Sequence, residues 1–506
     1  MALLAGCSKE LNTEQNGVIA MNGFYKGDEA CEMAVTACYH EFTTQSEFFF
    51  GASGKFLDNI LSDDMLNGGT SRDDMLDNRE LNEYQFDYTN STLKYVFQYQ
   101  YRMIYRANLV INNYENGTTD IQKRAVAEAK VFRAMSNFNL VTFWKTAPLV
   151  LEAIRDNNKA PNSTEAALWE QIESDLTDAI NSGKLAKKAS KDDRNTTRIT
   201  TQFAQALLGK SYVFQGKWAE AEKILDEVRG TGLYGYLDDY GKWAEATSNN
   251  NQEVIFSDNL ANDPNNTVGA NWATQSVNTN VLENHMALDY SMMSFGLYGP
   301  SKGLIETFLT NEPDSKRFRT TFKSYDDFLA SGIKLKDGME YYANVGYFHW
   351  KYRASRASNT TGEFMAFWTN NVYMKYSEVT LLDAEAKLMQ GKSADDLINE
   401  IRDVAGVSHI SGATMEDLKL EKRLQLVHDG CRWRDLVRWG DAPVALAEQG
   451  KEIPSFLGLN SDGTYNVVPN RYTNANYGFK DRHKVLPFPE TEMNVNPNID
   501  QNEGWK

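Results

Sequence analysis

One twenty-residue stretch near the C-terminus constrains this chain more than any other: Glu421-Lys-Arg-Leu-Gln-Leu-Val-His-Asp-Gly-Cys-Arg-Trp-Arg-Asp-Leu-Val-Arg-Trp-Gly440. Leu424, Val427, Trp433, Leu436 and Val437 recur at spacings of three and four, the pattern of helices packed on a core. Asp429-Gly430 interrupts that pattern, which predicts two helices meeting at a tight turn. Arg432, Asp435 and Arg438 follow one another at intervals of three, so Asp435 can lie between two guanidinium groups on one helical ridge.

Helical stripes recur elsewhere. Leu93, Val96, Phe97, Ile104, Ala107 and Ile111 form one, and Ala127, Val131, Ala134, Met135, Phe138 and Val141 form another, ending before Pro148. A first helix is expected at about 28–45 and a further one at 164–181, with Ser163-Thr164-Glu165 supplying the cap and early acidic charge. Leu208, Gly209, Tyr212, Ala221 and Leu225 fall at the spacings of a tetratricopeptide unit, whose small residues let two helices approach closely. Gly216-Lys217 makes its turn, and a second copy runs from Tyr376 to Val404 with a turn at Gly391-Lys392. Between 230 and 370 the helical period is lost. That segment is rich in Asn, Gly, Tyr and Trp, with strand-like pieces at Glu253–Phe256 and Tyr347–Tyr352. The fold class expected is mainly α: a tetratricopeptide-like helical-repeat scaffold with an irregular, loop-rich second lobe carrying short strands. Its parts are a tether at 1–27, an N-terminal scaffold at 28–229 with a loop-rich insertion at 51–90, the irregular lobe at 230–370, and a C-terminal helical-repeat part with a closing segment at 371–506.

The 421–440 stretch resembles the C-terminal signature of the SusD/RagB family of nutrient-binding outer-membrane lipoproteins, roughly E-R-R-x-E-L-x-x-E-G-x-R-x-x-D-L-x-R-W-G. Lys422, Gln425 and Asp429 are mild departures. Arg106-Ala-Asn108, Glu128 to Ala134, and the ending Leu486-Pro-Phe-Pro489, Asn496-Pro497 and Gln501-Asn502 also resemble family motifs, with Glu503 in place of a usual proline. The signature's residues are expected to lock the fold rather than to hold a ligand. Leu4-Ala-Gly-Cys7 resembles a bacterial lipobox, which makes Cys7 the expected lipidation site, followed by the polar tether Ser8-Lys9-Glu10. A lipid there would attach a chain that contains no run of 18 apolar residues.

Composition narrows the function. The formal charge of −17 disfavours nucleic acid and anionic lipid surfaces. Four cysteines in 506 residues are too few for a disulfide framework. The six histidines are scattered, with no HExxH spacing, and no nucleophile elbow, phosphate loop or dinucleotide fingerprint occurs. Acidic pairs such as Asp63-Asp64 and Asp238-Asp239 are expected by chance among 69 acids. No catalytic residue, metal site or cofactor is expected. Binding chemistry is better supplied, because a sugar presents an apolar face and a hydroxyl rim that suit Trp or Tyr beside Asn, Asp, Gln or Arg. Loops of that composition carry Asn67 and Arg72, Asn271 and Trp272, and Tyr290 and Tyr298. Trp272 is the foremost platform, while Trp218, Trp433 and Trp439 on helical stripes, and Trp350 in a strand, are read as core.

The resemblance implies a cell-surface lipoprotein that binds an oligosaccharide and passes it to a SusC-like TonB-dependent outer-membrane barrel. A peptide ligand is the alternative within the family. A glycoside hydrolase or lyase on an α-rich scaffold, and an intracellular tetratricopeptide adaptor, are the alternatives outside it. Expressed from the full gene with its native upstream sequence, the Cys7→Ala variant should leave the membrane fraction in cells lacking the transporter. Membrane fractionation followed by immunoblotting checks this, and an unchanged membrane pool would refute the anchor.

Overall fold

The computed structural model describes residues 24–47, 53–69, 71–153, 159–260, 296–332, 340–353, 368–473 and 476–506. Its frame is a succession of antiparallel helices: Gly27–Glu47, Ser91–Tyr114, Asp120–Trp144, Glu165–Asn181, Thr201–Phe214, Trp218–Gly230, Tyr376–Leu388 and Asp395–Ala405. Four of these starts are set by a residue whose side chain satisfies an orphan amide. Asn90 accepts from the Leu93 amide, Thr119 from Gln122, Thr164 from Ala167 and Thr200 from Phe203. The paired helices Thr201–Phe214 and Trp218–Gly230 turn at Gly216, whose φ is +70°. They meet where Gly209 faces Leu225; a Cβ on Gly209 would lie 2.6 Å from a Leu225 methyl. The helical period of the sequence is therefore carried into packing, and the expected mainly α architecture is what the chain adopts.

Strands are short and sit at the edges of this frame. Met65–Asn67 pairs antiparallel with Tyr298–Pro300, Val254–Ser257 with Val372–Lys375, and Phe322–Ser324 with Tyr347–His349. A three-stranded sheet joins Tyr341–Tyr342, Glu452–Leu459 and Tyr465–Arg471. The strand expected over Tyr347–Tyr352 stops at His349, where Trp350 and Lys351 both turn their amides to the Thr321 carbonyl. The hairpin Glu452–Arg471 lies in a stretch expected to be helical repeat and closing segment. Cys31, Cys38 and Cys431 are buried free thiols.

The signature helices, Met415–Gln425 and Arg432–Trp439, meet at Gly430, which has φ +80° and no room for a side chain against the Lys55 backbone. Their charges reach across the chain. Asp58, at the end of the short helix Gly54–Ile60, accepts from the Trp433 amide at 2.9 Å and from Arg434 Nε at 2.7 Å. Arg432 forks onto Asp63 at 2.8 and 2.9 Å, and Arg423 reaches Asp64 at 2.7 Å. Asp435 does lie between two cations, but these are Lys422 and Arg438, both at 2.8 Å. Arg432 is drawn away to Asp63, a partner that local spacing could not reveal. Trp433 is fully buried and stacks on Phe143 at 5.5 Å.

Asp429 takes the centre of a second buried knot, with Lys375 at 2.6 Å, Lys351 at 2.8 Å, Lys55 at 3.6 Å and the Tyr352 hydroxyl beside it. Burial alone would raise its carboxyl, but the three lysines outweigh that and hold it well below the usual range. Next to it, the His349 Nε2 meets His428 Nδ1, and His428 Nε2 donates to the Asp64 carbonyl at 3.1 Å.

Removing one partner of a buried ion pair leaves the other charge uncompensated. Asp58→Ala should therefore lower unfolding free energy by about 3–5 kcal/mol, read by urea denaturation. A loss comparable to that of a surface substitution would refute the central role of this pair. Burial also lowers the His428 ring to about 4 and, with His428 and Lys351 close by, holds His349 well below its ordinary value. Both rings are neutral in the fold and gain protons more readily when unfolded. Their contribution is thus complete above pH ~6.5 and lost as pH falls from there. His428 has φ +55°, which asparagine tolerates, so His428→Asn removes one titrating ring without new backbone strain. Its stability should fall less steeply than wild type between pH 6.5 and 4.5; parallel curves would exclude the histidine pair as the cause.

Candidate functional site

Where the strand Met65–Asn67 ends, Gly68 and Gly69 bring the backbone against the strand Tyr341–Tyr342. The Gly68 amide donates to the Leu297 carbonyl at 2.6 Å, and a Cβ there would sit 2.9 Å from the Tyr342 carbonyl. Gly69, at φ +113°, bridges to Tyr342. This close approach aims the next turn, and with it Arg72, at a group of tyrosines drawn from distant parts of the chain.

Arg72 is held on several sides. Its Nε and Nη2 donate to the two Glu83 oxygens at 3.3 and 2.7 Å, and Nη2 also donates to the Tyr477 hydroxyl at 2.7 Å. The guanidinium lies 3.7 Å from the centre of the Tyr472 ring, within range of a cation–π contact. The Tyr472 hydroxyl shares a 3.0 Å hydrogen bond with that of Tyr342, and the Tyr472 and Tyr477 rings are 6.1 Å apart. Burial, reinforced by the Tyr472 hydroxyl, raises the Tyr342 phenol, so it stays a neutral donor and acceptor. The three tyrosines are half-buried, while the Glu83 side chain is 2% exposed.

Each member has a local reason for its place. Glu83 ends the helix Leu76–Asn82, and Gly450, at φ +84°, lets a neighbouring turn pack on it: a Cβ there would lie 2.7 Å from the Glu83 Cβ. Tyr342 is fixed by pairing with Ser455, and Tyr472 by its amide donating to the Lys451 carbonyl at 2.8 Å. The result is a surface of partly open aromatic rings and hydroxyls around a single immobilised guanidinium. Such a surface suits a ligand with apolar faces and many hydroxyl groups.

Of the residues expected from sequence, Arg72 belongs to this cluster. Asn67 sits at the end of the strand leading to it, 3% exposed, with its amide donating from the backbone to Asn82 Oδ1 at 3.2 Å. Its side-chain amide has no hydrogen-bond partner among the described residues. Tyr298 does not lie on the face. It is 2% exposed, its hydroxyl accepts from Asn78 at 2.7 Å, and its ring packs edge-on to Phe56. Strand pairing with Met65–Asn67 turns it into the core. Asn271, Trp272, Tyr290 and Cys7 lie outside the described residues. Tyr342, Tyr472, Tyr477 and Glu83 were not singled out in the sequence. The Asn470-Arg-Tyr-Thr-Asn-Ala-Asn-Tyr477 run does carry the Asn/Tyr composition that marked the other loops.

Comparison with known proteins supplies the class. Residues 252–505 match the SusD family, and residues 51–213 match the family described as starch-binding and associating with the outer membrane. This chain belongs to the SusD family. SusD-like protein P25 of Formosa agariphila is 22% identical over 97% of this chain and 94% of its own length. A laminarin-binding SusD-like protein of solved structure shares the fold with a TM-score of 0.76 and 24% identity, covering 95% of this chain and all of that one. Surface glycan-binding protein A of Bacteroides thetaiotaomicron, solved with laminarihexaose, does so with a TM-score of 0.73 and 20% identity, over 94% and 99%.

Proposed function

We propose that this protein captures a glycan at the cell surface, on the face built by Arg72, Tyr342, Tyr472 and Tyr477, without turning it over. The observation that carries the reading is the convergence of two partly open tyrosines, Tyr472 and Tyr477, on one arginine whose position is fixed before any ligand arrives, with Tyr342 bonded to Tyr472 beside them. Pre-set side chains lose little freedom on binding, which favours capture. Membership of the SusD family, and fold relatives described as binding laminarin and laminarihexaose, support the same ligand class. Trp272 and Asn271 belong to the proposal as a further platform, carried from the polar loop that contains them. The family resemblance extends the reading to delivery: the chain, anchored in the outer membrane through Cys7, passes its glycan to a TonB-dependent barrel.

Tyr472→Ala removes the central ring of the cluster. Losing a stacking ring costs on the order of 1–3 kcal/mol, so affinity for a glycan-array hit should fall about tenfold or more. The ring is half-buried at the surface, and the melting temperature should stay close to wild type. Calorimetry beside thermal melts separates the two effects; unchanged affinity would remove this face from the binding site. Shortened glycans in the same mixture would instead mark an enzyme. Pull-down of a tagged, full-length version from mildly solubilised membranes tests delivery, and recovery of the bait alone would count against the barrel.

A further inference from the structure

The charge pattern around Arg72 bears on which glycans this face accepts. Arg72 gives Nε and Nη2 to the Glu83 carboxylate and shares Nη2 with Tyr477, so its fork is occupied in the way a bound carboxylate would require. Glu83 is itself locked, with a 2% exposed side chain pressed by the Gly450 turn. Arg79, one helix turn before Glu83, is taken by Asp73 at 2.6 Å and stands 4.0 Å from Glu83. The segment 71–83 sets these two arginines against five carboxylates, those of Asp73, Asp74, Asp77, Glu80 and Glu83. On the other side of the cluster, Arg471 pairs with Glu452 at 3.0 Å and Lys451 with Glu448 at 2.7 Å, while Lys480 donates to the Asn476 carbonyl at 2.9 Å.

We infer that Glu83 is the specificity-determining residue of this face: by holding and neutralising Arg72 it makes the tyrosine cluster take uncharged glycans and turn away uronate- and sulfate-bearing ones. The inference rests on the reading of this face as a glycan site. An acidic sugar must displace Glu83 from the fork or settle among excess negative charge, and the chain's net charge of −17 opposes its approach as well. An uncharged sugar needs only ring faces and hydroxyl partners, which Tyr342, Tyr472 and Tyr477 present.

The test uses the whole protein with two panels, one neutral (laminarihexaose, maltohexaose, cellohexaose, xylohexaose) and one acidic (hexagalacturonate, hexamannuronate, sulfated carrageenan oligosaccharides). Wild type should bind a member of the neutral panel, with affinity changing less than about twofold between 20 and 500 mM salt, because no ion pair forms with the ligand. It should bind every acidic oligosaccharide at least about tenfold more weakly. Glu83→Gln keeps the side-chain shape but releases the Arg72 charge. It should gain about tenfold or more in affinity for an acidic oligosaccharide relative to a neutral one, a gain erased at high salt. A merely structural Glu83 would weaken both panels together, and that result overturns the inference. So does a wild type that prefers an acidic glycan with steep salt dependence, a measurement that stands even where the variant fails to fold. If neither panel binds and Tyr472→Ala is silent against every array hit, the glycan reading itself falls.

Discussion

The pair Asp58–Arg434 is the interaction on which the rest of the structure depends. It joins residues 376 positions apart, and Asp58 also caps the signature helix by accepting from the Trp433 amide. Both groups are nearly or fully buried, so each is tolerable only because the other is present. Around this pair the two neighbouring carboxylates, Asp63 and Asp64, take Arg432 and Arg423, and His428 catches the Asp64 carbonyl. The segment leading to Met65 is thereby bolted to the C-terminal helices. Non-directional apolar packing could bring these parts together, but it is the array of directed charges that fixes their register.

That register matters because the proposed glycan face begins where the bolted segment ends. From Asp64 the chain runs into the strand Met65–Asn67, through Gly68 and Gly69, and out to Arg72. Tyr472 and Tyr477, which meet Arg72, follow the hairpin Glu452–Arg471, and Tyr342, bonded to Tyr472, comes from the strand that pairs with it in one sheet. A rigid frame thus delivers side chains from three remote stretches to one place, while the connecting turns remain free to differ. Function carried on loops that a fixed scaffold positions is the general arrangement for binding proteins.

Legibility in the sequence followed the range of the forces involved. The helix pairs could be read because their cause is local: the apolar stripe of Leu93 to Ile111, the cap at Thr164, the close approach at Gly209 and the break at Gly430 are all written within a turn or two. The partner of Arg432 could not be read, because Asp63 competes with the nearby Asp435 from 369 residues away. The hairpin Glu452–Arg471 escaped for a different reason. Its first strand, Glu-Ile-Pro-Ser-Phe-Leu-Gly-Leu, is broken by proline and glycine and buries four residues in a row rather than alternating, although Asp462-Gly463 in its turn is a hairpin signal. The composition of its loop singles out Arg72, which the structure places in the tyrosine cluster of the proposed face; Tyr298 has the same composition around it, and its pairing with Asn67 sends it inward.

The distance between Asp58 and Arg434 along the chain has a consequence for biosynthesis. At roughly 5–20 residues per second, the ribosome needs on the order of 20–75 s between making the carboxylate and making its guanidinium. Through that interval Asp58, Asp63 and Asp64 stay hydrated, because no cation of the signature exists yet to receive them. The middle helices, whose contacts are local, can form as they emerge. The proposed glycan face cannot, since Tyr472 and Tyr477 are synthesised after nearly everything else. Closure of the long loop therefore waits for the signature, and a nascent chain halted short of it still lacks Tyr472 and Tyr477 of the proposed face.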